Sequence, residues 1–193
     1  MKIDIFLALV LFFVFGSLRL GAEEQTLSAK QIDDFAKAVP VLLEFYKRYE
    51  HRHTNDNLED YIGGMDVDAI VDQLKKNNVY DEFSGVAREV GFSSVESLLN
   101  AQKRVLLGVG RLSMQEEFGK PFDLIIAEQS QQMQVMSEMY KEVETGIAKE
   151  IVEYQETMKA MSTITSEEIH AIERNRDAMA VFMEDEDEDY DYQ

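Results

Sequence analysis

Apolar residues recur three and four positions apart along most of the chain, and β-type alternation is almost absent. That spacing predicts α-helices, because positions three and four apart share one helix face. Ile32, Phe35, Val39, Leu42, Leu43 and Tyr46 make the first such face. Ser28 stands ahead of it with Gln31 three residues on, so a capping box opens this helix. Pro40 lies mid-pattern and should bend the helix, since proline lacks an amide donor and crowds the carbonyl four residues back. The polar stretch from Glu50 to Asn57 closes it.

Gly63-Gly64 marks a turn, after which Asp66 can cap a short helix carrying Val67, Ile70, Val71 and Leu74. Asn77-Asn78 ends that helix, and another opens at Asp81 with Phe83, Val86, Ala87 and Val90 inward. Gly91 occupies the place where a left-handed residue terminates a helix, and Phe92 can pack back under the turn. Ser93-Ser94-Val95-Glu96 reads as a second capping box. It opens a longer helix with Leu98, Leu99, Gln102, Val105, Leu106, Val109 and Leu112. Gly108 and Gly110 fall inside that helix, where each costs about 1 kcal/mol relative to alanine. Close approach of a neighbouring helix is the expected reason.

From Pro121 the pattern predicts a helix running unbroken to about Met161, with Gly146 as the place for a kink. Met136, Tyr140, Val143, Ile147, Ile151, Tyr154, Met158 and Met161 keep one apolar stripe throughout. Such a helix would be about 60 Å long, so part of it would have to pack on another long helix, project into solvent or meet a second copy. Thr165 with Glu168 makes a third capping box, opening a last helix with Ile169, Ile172, Met179 and Phe182. The acidic run from Glu184 to Asp189, with Tyr190 and Tyr192 after it, cannot bury apolar area and is expected to be disordered. The predicted fold is therefore all-α with about six helices. It has an N-terminal group of short helices, a long helical hairpin over residues 94 to 161, and a disordered acidic tail over 184–193.

The chain opens differently. An apolar run from Ile5 to Leu18 is about 14 residues, short of the ~20 that cross a bilayer and right for the hydrophobic region of a signal peptide. Cleavage is expected after Ala22, leaving residues 23–183 as one helical domain with no membrane span; Leu20 and the weakly basic start would instead suit an uncleaved anchor. Removing residues 1–22 leaves 17 basic and 37 acidic residues and a net charge of -20.

Charge narrows the partners. Across 193 residues, 38 Asp and Glu face 19 Lys and Arg, for a net charge of -19. That field repels phosphate backbones and anionic headgroups, which argues against nucleic acid and leaves cations and proteins. The chain has no cysteine, so disulfides, thiolate metal sites and thiol nucleophiles are all excluded.

Through Tyr80-Asp81-Glu82-Phe83, Val86-Ala87-Arg88-Glu89 and Gly91-Phe92-Ser93-Ser94-Val95-Glu96, the middle of the chain resembles small exported helical proteins of Gram-negative bacteria that lack an assigned activity. The resemblance covers at most residues 27–118. It rests on helix ends and core positions, so it implies a fold and transfers no catalytic residue; the expected leader implies an exported location, periplasmic or secreted.

Candidate chemistry is sparse. His51-Arg52-His53 near Glu50, Asp56 and Glu59 is the densest group of potential ligands, but alternate histidines at a helix end suit a solvated loop better than a tetrahedral site. The acidic tail offers oxygen ligands for weak, diffuse divalent-cation binding, without the glycine turn or closing glutamate of a calcium loop. No nucleophile elbow, His-Glu-x-x-His or phosphate loop is present in the sequence, and no cofactor is called for. The methionines suggest more: Met133, Met136, Met139, Tyr140, Tyr154, Met158 and Met161 lie along one amphipathic segment, and flexible thioethers adapt to varied surfaces. They predict either a surface for a protein partner or an internal or self-association seam. The leading functional expectation is a non-enzymatic interaction or assembly protein of the cell envelope, and the alternative is an acidic cation binder.

Overall fold

A computed structural model describes the backbone of residues 26–52, 66–140 and 145–180, and the side chains of 26–49, 66–133 and 151–180. The chain is all-helical there. Among the described residues there are eight helices rather than about six: α1 (Ala29–Arg52), α2 (Val67–Lys76), α3 (Tyr80–Glu89), α4 (Val95–Phe118), α5 (Phe122–Tyr140), α6 (Thr145–Ser162), α7 (Ser166–Arg174) and α8 (Arg176–Met179). The leader, the Gly63-Gly64 turn, His53, Phe182 and the acidic tail lie outside the described residues, and so does the side chain of His51.

The caps follow from local chemistry. The Ser28 amide donates to Gln31 Oε1 at 2.9 Å and the Gln31 amide donates to Ser28 Oγ at 3.3 Å, which starts α1. The helix then continues through Pro40, which is exposed. Asp66 Oδ1 accepts from the Ala69 amide at 3.1 Å and starts α2. Both α2 and α3 end in paired reverse bonds. Val79 N–H reaches the Leu74 carbonyl and Asn78 N–H the Lys75 carbonyl, each at 3.0 Å, around a left-handed Asn78 (φ 57°). Phe92 N–H reaches the Ala87 carbonyl at 2.8 Å and Gly91 N–H the Arg88 carbonyl at 3.1 Å around Gly91 (φ 92°). These satisfy carbonyls that a helix end otherwise leaves unpaired, and they turn Val79 and Phe92 back into the core. The cap of α4 sits one residue later than the spacing suggested. Ser94, paired with Ser97, forms its capping box, while Glu96 accepts from the Tyr80 hydroxyl at 3.2 Å.

Helix α4 is the axis of the fold. Its residues from Val95 to Met114 are buried on nearly every side, and it packs on α1, α2, α3, α5, α6 and α7. On one side Phe45, Tyr46 and Phe83 stack within about 4.8 to 6.2 Å of one another, and Tyr46 donates to Gln102 of α4 at 2.9 Å. On another, α7 comes so close that a Cβ on Gly108 would lie 2.2 Å from Ile172 Cδ1, which accounts for that glycine as a close helix approach.

The predicted unbroken helix from Pro121 to Met161 does not form. α5 and α6 are separate helices of 19 and 18 residues that pack on each other. The two lie side by side rather than end to end. Each is about 28 Å long, near the span of a small core. A stripe that persists through both halves can be covered by folding the segment on itself, and α4 covers the remainder. The long hairpin expected over residues 94 to 161 is thus three packed helices.

Candidate functional site

Two places among the described residues are candidates, a buried ion pair and a groove, and they differ in how their groups are engaged. The first is buried. Glu168, 1% exposed, starts α7 and faces Arg104 of α4, 4% exposed. Arg104 Nε donates to Oε1 at 2.6 Å and Nη2 to Oε2 at 2.8 Å, a two-pronged pair. The Leu27 amide donates to Oε1 at 2.9 Å, and the Thr165 amide and hydroxyl donate to Oε2 at 2.9 and 3.0 Å. Burial works to raise the Glu168 carboxyl, but the Arg104 bonds and the two amides outweigh it and hold the pKa below 4.5. With both oxygens engaged, this carboxylate joins the start of α1, α4 and α7, and its role is structural.

The second place is a groove between α5 and α6 of about 250 Å³. α5 presents Ile126, Gln129, Ser130 and Met133, spaced as one helix face, and α6 presents Tyr154, Gln155, Met158, Lys159 and Ser162. Met158 is buried, Ile126, Met133 and Tyr154 are partly buried, and Ser130, Gln155 and Lys159 are exposed at the rim. Burial, with the Glu117 charge adding to it, pushes the Tyr154 hydroxyl up to about 12.

The sequence places the groove's two walls through a few fixed points. Gly119 ends α4 in a left-handed conformation (φ 60°), and Pro121 accepts from the amides of Leu124 and Ile125 to open α5. Phe122 and Ile125 are buried, turning the 126–133 face outward. Arg111 of α4 bridges the far ends. It donates to the Ile164 carbonyl at 2.7 Å, and its guanidinium lies 5.1 Å from the Phe122 ring centroid. Burial lowers its pKa, with the Asp123 charge opposing.

Of the methionine and tyrosine surface read from the sequence, Met133, Tyr154 and Met158 line this groove. Met161 does not: it is 2% exposed, in the core. Its position on the α6 stripe faces inward because α4 packs there. Met136, Met139 and Tyr140 belong to α5, but their side chains lie outside the described residues. Sequence reasoning missed Ile126, Gln129 and Ser130, although their spacing with Met133 repeats that of a helix face. It also missed Arg104 and Arg111, which carry no local signal because their partners are 64 and 53 residues away.

Among the described residues no group of three or more His, Asp or Glu side chains is placed to hold a metal ion, and no helix is long and apolar enough to cross a membrane. Comparison with known proteins finds no matching family, no matching curated protein and no matching solved structure.

Proposed function

We propose that this chain is a non-enzymatic, exported helical protein of the cell envelope, periplasmic or secreted, that acts by holding a protein partner. The observation carrying the reading is the groove between α5 and α6. A cavity of about 150 Å³ holds a benzene ring, whereas small-molecule sites run from about 300 to 1,000 Å³. At about 250 Å³ the groove suits one large side chain from a partner better than a whole small substrate. Its walls have the composition such an anchor site needs: two thioethers and a phenol ring, rimmed by polar groups of which Lys159 alone is charged. Buried Met158 and half-buried Tyr154 are already held by packing, so part of the ordering cost of binding is met before a partner arrives.

The test is a photoreactive amino acid at Ser130, on the rim, in the chain expressed with its leader. A discrete adduct from the envelope fraction, absent when the same group replaces Asp72 on the exposed face of α2, is the expected result. Equal labelling from both positions would contradict the reading. Light scattering of the purified chain separates an adduct with a different protein from one with a second copy. The mass of the exported chain tests the leader: cleavage after Ala22 leaves Glu23 first.

A further inference from the structure

The charges around the α5–α6 groove restrict what can enter it. Glu156 follows lining residue Gln155 on α6, Asp123 stands one turn ahead of Ile126 on α5 where its charge acts on Arg111, and the Glu117 charge is felt at Tyr154. Glu128, farther along α5, is paired with Lys120 at 2.7 Å. Lys159 is the cation among the lining residues. Around this site the whole chain carries -19, so a second copy would approach against like charge, and the chain's own acidic tail from Glu184 to Asp189 would do the same.

Resting on the partner-holding role, we propose that the groove's occupant is a positively charged polypeptide segment that inserts one aromatic or leucine side chain between α5 and α6. The field draws the basic segment in, which sets the rate of encounter. Burial of its apolar anchor against Ile126, Met133, Tyr154 and Met158 sets how long it stays. The partner must keep its own cations clear of Lys159 and place a neutral or acidic side chain there, which gives the site a direction.

The test uses a fluorescent amphipathic helical peptide with one leucine and phenylalanine face, made in three forms whose polar face is all lysine, all glutamine or all glutamate, titrated into the full chain. The lysine form is expected to bind at least about tenfold more tightly than the glutamine form, with affinity falling as salt rises. Ser130→Trp, which fills the groove from the rim without changing charge, is expected to weaken the lysine form by at least about tenfold. Gln155→Trp, on the opposite wall, repeats the test should Ser130→Trp misfold, as judged by its melting curve. Unchanged affinity in both variants would overturn the proposal by assigning the binding to the acidic surface at large. Preference for the glutamine or glutamate form, still lost on groove filling, would overturn the basic partner and leave the partner-holding groove standing. Failure of all three forms to bind would overturn both.

Discussion

Replacing Arg104 with methionine removes the guanidinium while keeping much of its apolar bulk, and the consequence can be worked from the surroundings of Glu168. The carboxylate would keep the Leu27 and Thr165 donors but lose the Arg104 cation, along with two bonds of 2.6 and 2.8 Å, at 1% exposure. The Thr163 carbonyl would lose a bond of 3.2 Å as well. Removing one member of a buried pair costs about 3–5 kcal/mol, because the charge left behind is uncompensated. With a urea dependence of about 2 kcal/mol per molar, the unfolding midpoint should fall by about 1.5–2.5 M at pH 7. Arg104→Met combined with Glu168→Gln should lose less than the two single changes added, since neither charge of the pair is left without the other. The pH dependence has a fixed sign. A carboxyl whose folded pKa lies below 4.5 contributes stability that is fully present above 4.5 and is lost as pH falls through the lowered value. The unmodified chain should therefore lose this contribution only in acid, and Arg104→Met should flatten that part of the acid limb. A midpoint shift at pH 7 equivalent to less than about 1 kcal/mol would refute the role given to the pair.

Gly108→Ala should destabilise by about 1–2 kcal/mol despite alanine's better helix propensity, because its Cβ would meet Ile172 Cδ1; adding Ile172→Val should recover most of the loss in thermal unfolding. Gly91→Ala meets no neighbour, so its loss of about 1–2 kcal/mol should come from the left-handed backbone alone and should not be rescued by trimming any side chain. Tyr154 should ionise near pH 12, visible as a phenolate absorbance step missing from Tyr154→Phe. Because its folded pKa is raised, its contribution to stability is intact below pH 10 and lost as pH rises from 10 towards 12, and Tyr154→Phe should remove that alkaline loss.

What could be read along the chain was whatever a few neighbouring residues decide. Asp66, Thr165 with Glu168, and Gly91 each act within one helical turn, so their spacing shows the helix ends directly. Ser93 and Ser94 both offer a hydroxyl at the start of α4, and Glu96 at the right distance from Ser93 favoured the wrong one; Tyr80, from another helix, engages Glu96 instead. The separation of α5 from α6 left no mark in the apolar stripe, because a stripe shows which face is buried and not whether its cover comes from another helix or from its own continuation. The groove was half legible for the same reason: Met133, Tyr154 and Met158 share a stripe, but only the packing of α5 on α6 sets them opposite each other and turns Met161 into the core. The Arg104 and Glu168 pair is 64 residues apart: Glu168 is marked locally as the capping partner of Thr165, but nothing local marks Arg104 or joins the two.

The most direct measurement is the methyl spectrum of the full chain labelled at methionine, recorded as the lysine-faced peptide is added. The account predicts that the Met133 and Met158 resonances move together and saturate with the binding curve, while core Met161 and Met179 stay in place. Saturable binding with Met133 and Met158 unmoved would contradict it.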